Sequence, residues 1–232
     1  MKVAKRRKIF FYIFWPVLVI TFTLAAFFVV LVANGYRLEQ NTWHLEKTGT
    51  IVLNGPSTGG KVNLDGTDVG GLPKSLKMLS AGRHEIIITK DNYQTWTKVF
   101  NVLPGRAVIV DNLALFYQDP VILKVASPDK ISVNVKNDFT TQRKNLEIKG
   151  DEVYLGGKLV TRFSQMVLGA IYDPSINHLF VQVGNEIHAV NVENLNEFTL
   201  IKLQKPDPTT FSVSDKILYY FDGGELYQAV VR

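Results

Sequence analysis

The stretch Ile9 to Ala33 constrains this chain more than any other. It holds 25 residues without a charge, and 17 of them are Leu, Ile, Phe or Val. At roughly −0.4 kcal/mol each, these side chains favour a bilayer interior by about −7 kcal/mol. As a helix the stretch is about 37 Å long, enough to cross a hydrocarbon core of about 30 Å with some tilt. The expectation is a membrane span, with everything after it folding on one side.

Flanking charge sets the expected direction. Lys2, Lys5, Arg6, Arg7 and Lys8 precede the span. Only Arg37 and Lys47 occur in the first 15 residues after it, among Glu39 and Glu46. Positive charge stays inside, so the N-terminus is expected in the cytoplasm and residues 34–232 outside it, with Lys5, Arg6, Arg7 and Lys8 as the topology determinants. Tyr36 and Trp43 are candidates for the outer interface. Pro16 is a candidate kink, and Thr21 and Thr23 can bond back one turn. The competing reading is a cleaved signal sequence, with Thr23-Leu24-Ala25 before Ala26 as the cleavage site. The apolar run continues seven residues past that point, against an h-region of about 7–15 residues.

The net charge of +5 does not indicate nucleic-acid binding. Residues 1–33 carry five basic groups and no acid, leaving 21 basic and 21 acidic residues in the remainder. No stretch supplies the basic surface that displaces counterions from a phosphate backbone. Cysteine is absent, so the exported part has neither disulfides nor thiolate metal sites.

After residue 50 the pattern is all-β: short runs rich in Val, Ile, Leu, Tyr and Phe between Gly, Asn, Asp and Pro punctuation. No helical periodicity of three turns or more is evident after residue 40. Val62-Asn63-Leu64 runs into Asp65-Gly66, a strong hairpin signal because both turn residues need positive φ. Val69-Gly70 begins the return, and Pro73 marks an edge-like segment. Gly82 opens the longest strand, Arg83 to Lys90, with His84, Ile86 and Ile88 on one face. Tyr93 and Trp96 follow, then a turn at Pro104-Gly105.

That order of residues resembles the PEGA domain, a small β-sandwich of exported bacterial proteins. The likeness rests on Val62 to Gly66, Val69-Gly70 with Pro73, Gly82-Arg83-His84, Tyr93 with Trp96, and Pro104-Gly105. The segment Gly55 to Gly60 departs from the family's turn, having Pro and Gly but no Glu. The leading Asn34 to Leu38, with Thr48-Gly49, also looks like membrane-anchored members of the group. The resemblance implies an envelope or surface protein and no catalytic residues.

Residues 120–232 show three similar segments: Ser127 to Val133, Tyr172 to Val181, and Phe211 to Leu218. Their aspartates, Asp129, Asp173 and Asp215, are spaced by 44 and 42 residues. A period of about 40–45 residues with four short strands is that of a β-propeller blade. About two and a half blades fit, fewer than the four or more of a closed ring. Three readings stay open: a partial propeller completed by another chain, an open stack packed on the first domain, or an unrelated β-sandwich. An uncapped blade exposes a strand edge, which invites pairing.

Candidate chemistry is sparse. His44, His84, His178 and His188 are scattered, and no motif of a zinc protease, serine hydrolase or nucleotide-binding loop occurs. Asp65-Gly66-Thr67-Asp68 is a weak calcium candidate that the hairpin turn equally explains. Asp151-Glu152, read within one strand, point to opposite sheet faces. Tyr93 and Trp96 are core residues or sugar-stacking rings, and Tyr219 lies in a strand with aromatics on both faces.

The expectation is therefore a mainly β chain. It comprises a cytoplasmic basic stub (1–8), a transmembrane helix (9–33), a stalk with one amphipathic turn (34–49), a PEGA-like β-sandwich (50–118) and a blade-like β-meander region forming an incomplete propeller (119–232). Functionally it is expected to be a non-enzymatic, single-pass cell-envelope protein with extracytoplasmic domains. Its expected partners are the lipid bilayer and an envelope protein or cell-wall glycan, with homo-oligomerisation through an open strand edge as a further reading. The alternative is a tethered carbohydrate- or peptidoglycan-binding module. Trp96 and Tyr219 are the candidate contact residues, and no metal, cofactor or nucleic acid is expected.

Overall fold

The computed structural model describes residues 2–38, 44–126, 128–193 and 195–232, with side chains outside 2–13, 128–130, 133 and 141. Trp43 and Ser127 lie outside the described residues. The fold is mainly β, with one N-terminal apolar helix, one further helix and several separate sheets; among the described residues no barrel closes.

Helix α1 (Lys2–Ala33) begins inside the basic stub and runs on through Pro16. Its 20-residue stretch Phe14–Ala33 has mean hydropathy 2.7 and no buried residue. Thr21 and Thr23 donate their hydroxyls to the Val17 and Val19 carbonyls at 2.8 Å, as expected of hydroxyls in an apolar helix.

The strands follow in chain order: β1 (Tyr36–Leu38), β2 (Leu45–Lys47), β3 (Gly49–Leu53), β4 (Lys61–Leu64), β5 (Thr67–Gly71), β6 (Lys74–Leu79), β7 (Gly82–Thr89), β8 (Trp96–Val102), β9 (Ala107–Val110) and β10 (Val121–Lys124). Helix α2 (Pro128–Gln142) interrupts them. Then come β11 (Leu146–Lys149), β12 (Glu152–Leu155), β13 (Lys158–Arg162), β14 (Val167–Asp173), β15 (His178–Val183), β16 (Glu186–Asn191), β17 (Glu197–Lys202), β18 (Phe211–Ser214), β19 (Ile217–Asp222) and β20 (Glu225–Val230).

Two compact units result. The first takes Met1–Val52, Ser75–Arg83 and Asn101–Val108. Here β1 and β2 form an antiparallel hairpin, where the sequence suggested one amphipathic turn. Strand β3 is the middle of a sheet ordered β6-β3-β9. Ile51, Leu76, Leu79 and Val102 are buried. Gly49 is required by close approach: an added Cβ would lie 2.4 Å from Val102 Cγ1 and 2.9 Å from the Leu103 carbonyl oxygen. Thr48 holds the junction to α1. Its N–H and its hydroxyl both donate to the Gly35 carbonyl, at 2.8 and 2.7 Å, while its own carbonyl accepts from Gly105 N–H at 2.8 Å.

The second unit takes Leu53–Lys74, His84–Phe100 and Ile109–Arg232. A sheet ordered β5-β4-β7-β8 opens it. Asp65 and Gly66 turn β4 into β5 with φ of 49° and 85°, as the Asp-Gly signal requires. His84, Ile86 and Ile88 are buried on one face of β7, the longest strand, with Leu53, Val62, Trp96 and Phe100 also buried.

Three further antiparallel sheets follow: β11-β12-β13, the meander β14-β15-β16-β17, and β10-β20-β19-β18. Val153, Phe163, Val167, Leu179 and Val181 share one core cluster.

Helix α2 corrects the all-β expectation and removes the first of the three repeat segments. Pro128 suits the first helical position, where no amide partner is needed. Ile131, Val135 and Phe139 recur every fourth residue and form one stripe; Val135 is 2 % exposed, and the Phe139 ring lies 5.5 Å from that of Phe211. Asp173 and Asp215 do occupy equivalent places, each at the first hairpin turn of its sheet, whereas Asp129 falls in α2. So the 42-residue spacing reflects structure and the 44-residue spacing does not. The last sheet is completed from within: β10 pairs antiparallel with β20 as its fourth strand. Asp151 lies in the β11–β12 turn rather than in a strand, so it and Glu152 both reach Arg162 instead of pointing apart.

Candidate functional site

The second unit contains an open cleft of about 720 Å³, floored by the whole length of β17 and flanked by residues 93–95, 118–120 and 122. The residues beneath it hold its walls in place. Phe116 ends an apolar run and is fully buried. Its ring lies 5.3 Å from His178, 5.4 Å from Phe198 and 6.2 Å from Phe180, spacings at which aromatic edges and faces attract. The next residues are tied on both sides. Gln94 N–H donates to the Phe116 carbonyl at 2.8 Å, Gln118 N–H to the Asn92 carbonyl at 2.9 Å, and Tyr117 N–H to the Val231 carbonyl at 3.0 Å. The Tyr93 and Tyr117 rings stack at 4.3 Å, with Lys90 Nζ 4.2 Å from the Tyr93 ring centre.

Strand β17 ends its sheet, so among the described residues one side of its backbone has no strand partner. Gln94 reaches across the cleft and donates its amide to the Thr199 carbonyl at 2.8 Å, in the place of one rung of a neighbouring strand. A similar device closes β18, also a terminal strand. The Gln142 amide, at the end of α2, donates to the Val213 carbonyl at 2.8 Å and accepts from Val213 N–H at 3.4 Å. Strand β10 ends the same sheet on its other side, and there Val121, Ile122 and Leu123 are 62 %, 47 % and 52 % exposed. Ile122 lines the cleft.

His188 lies between two carboxylates, with Nδ1 2.9 Å from Glu197 and Nε2 3.3 Å from Glu186. Beneath the cleft, His178 Nδ1–H donates to the Ile176 carbonyl at 2.6 Å. Burial pushes its pKa down to about 4, so it is neutral at pH 7. Buried Gln182 satisfies both ends of its amide, donating to the Asp207 carbonyl at 2.8 Å and accepting from Thr209 N–H at 2.9 Å. Among the described residues no group of three or more His, Cys, Asp or Glu side chains is placed to hold a metal. The acids of the calcium candidate are hydrogen-bonded within and beside the turn. Asp65 accepts from His84 Nδ1–H at 2.6 Å and from Glu85 N–H at 2.8 Å, and Asp68 accepts from Gly70 N–H at 2.8 Å. What the cleft offers is strand backbone, apolar side chains and a few charges, a geometry that suits an extended chain.

The residues singled out from the sequence fall elsewhere. Lys5, Arg6, Arg7 and Lys8 lie on α1, and their side chains are outside the described set. Of the two readings of Trp96, its burial agrees with the core one: it is 2 % exposed and stacked 6.3 Å from Phe100. Tyr219 is half-buried in β19, paired with Ser212 and Gln228. The structure does not bring Trp96 and Tyr219 into one site. Sequence reasoning missed Gln94, Phe116 and Gln142. The apolar run Leu113 to Phe116 was the one local signal, since the two glutamines act through contacts distant in sequence.

The molecule is thus defined first as a mainly β protein of separate sheets behind a long apolar helix. Residues 48–113 match the family model of the PEGA domain, which agrees with the resemblance carried by Val62 to Gly66 and Pro104-Gly105. No curated protein and no solved structure matches the chain.

Proposed function

We propose that this chain is a non-enzymatic, single-pass envelope protein. Its N-terminus is cytoplasmic, and its β units are displayed outside to bind another envelope protein. The observation that carries this reading is α1. Twenty consecutive uncharged residues of mean hydropathy 2.7 include none that is buried, two residues ahead of β1 and close to the PEGA-matched segment. A helix with that surface is stable when lipid surrounds it. A signal sequence has the same composition, and the two readings differ in whether the helix is kept.

The binding surface in this reading is the cleft along β17 together with β10, because both present backbone or apolar groups that a partner strand satisfies. Wall glycan is the second reading, and burial of Trp96 weakens it, leaving Tyr219 as its aromatic.

Three measurements test the proposal. Intact mass of the protein from membranes should include residues 1–33, and single cysteines at exposed positions beyond residue 60 should react with impermeant maleimide on intact cells. A mature chain starting near Ala26, or labelling only after lysis, overturns the anchored, outward reading. Photo-crosslinkers at Ile122 and Thr199 should trap one protein partner. Trapping of glycan alone shifts the assignment to the second reading.

A further inference from the structure

The hairpin β1–β2 leaves two leucines exposed on one face. Side chains of directly paired residues share a face, and alternate residues take opposite faces. Pairing of Tyr36 with Lys47, Arg37 with Glu46 and Leu38 with Leu45 therefore places Tyr36, Leu38, Leu45 and Lys47 on one face and Arg37 with Glu46 on the other. Arg37 pairs with Glu46 at 2.9 Å and donates to the Met78 carbonyl, on β6, at 3.4 Å, with its side chain still 44 % exposed. The other face leaves Leu38 37 % and Leu45 52 % exposed. Apolar side chains gain nothing from contact with water.

Position gives these leucines a neighbour. Leu38 lies five residues beyond the end of α1, a reach of at most about 18 Å even fully extended. The chain is not extended, because Thr48, next to β2, is hydrogen-bonded back to Gly35. Gly105 is bonded to Thr48 in turn, which holds the turn bearing Leu103, 49 % exposed, near the same end of the helix. The headgroup layer is about 5–8 Å deep on each side of the hydrocarbon. A Tyr, a Lys and several Leu side chains on one face match the composition of protein at that depth, with the aromatic and the amine reaching back toward water.

We infer that the open face of β1–β2, with Leu38 and Leu45 and joined by Leu103, is seated in the outer headgroup region of the bilayer that α1 crosses. This inference rests on the anchored reading of α1. The first unit then sits on the lipid instead of standing off it on a stalk.

The chain has no cysteine, so single labels are clean. The full-length protein is reconstituted in phosphatidylcholine vesicles. An environment-sensitive fluorophore is attached in turn to V30C, L38C, L45C and E46C, and lipids brominated at shallow or deep positions serve as quenchers. The expected result is deep quenching at residue 30, shallow quenching with blue-shifted emission at 38 and 45, and water-like emission at 46. Quenching at 30 without quenching at 38 and 45 overturns the seating and leaves the anchor standing. No quenching at 30 overturns both.

Discussion

Strands β7 and β15 belong to the same unit and differ in what surrounds them. Along β7 burial alternates, with His84, Ile86 and Ile88 inward and Arg83, Glu85 and Thr89 exposed. In β15 the five residues His178 to Gln182 are all buried. Leu179 and Val181 join the cluster around Val153 and Phe163, while His178 and Phe180 meet Phe116. One strand is half of a surface, and the other is interior on both faces. Polar groups therefore have different consequences in the two. On β7 they face water, apart from His84, which bonds Asp65 at 2.6 Å. On β15 each needs an internal partner, which His178 and Gln182 have found.

The largest effect that this contrast predicts is a truncation. Phe180→Ala should cost about 3–5 kcal/mol, whereas Thr89→Ala, on the open face of β7, should stay within about 0.5 kcal/mol. Hydrogen exchange of the β14–β17 amides, read by mass spectrometry on the full chain in detergent, measures the first, and urea unfolding the second. Equal costs would abolish the distinction.

Acid comes next. The unfolded chain takes up a proton at His178 near pH 6.5, the folded one only near 4. Between those values the unfolded state holds more protons, so stability is intact above pH 6.5 and falls as pH drops toward 4, by about 3 kcal/mol in all. A pH series of unfolding midpoints should show this slope, and His178→Phe should flatten it. If both proteins respond alike, the imidazole is not the cause.

Smaller still is Gln182→Ala. It leaves the Asp207 carbonyl and the Thr209 amide without their present partner and should cost about 1–3 kcal/mol, seen as faster exchange in the 203–210 loop. The smallest is Gln94→Ala at the edge of β17, about 1 kcal/mol or less because water can replace the lost amide. Its clearer readout is faster exchange confined to β17.

The sequence made β7 and its neighbours legible because alternation, Asp-Gly and Pro-Gly are local signals, and a half-buried strand displays them. Strand β15 shows no alternation, and only the Asp173 and Asp215 turns placed it. Helix α2 was misread for a physical reason. Ile131, Val133 and Val135 alternate as in a strand, while Ile131, Val135 and Phe139 recur as in a helix, and the β-branched residues with Asn and Thr favour neither reading strongly. Of the cleft, the sequence showed only that an edge was to be expected. Which edge, and that Gln94 and Gln142 cover parts of others, depends on contacts about 70 to 105 residues apart.

Strand β10 carries a consequence for the order of assembly. Its partner β20 is roughly a hundred residues further along the chain. When a ribosome or an export channel delivers the polypeptide from its N-terminus, Val121, Ile122 and Leu123 emerge early and wait, unpaired, until residues 225–230 have arrived. A nascent molecule halted before residue 225 therefore presents a sticky strand that any chaperone or neighbouring nascent chain can seize.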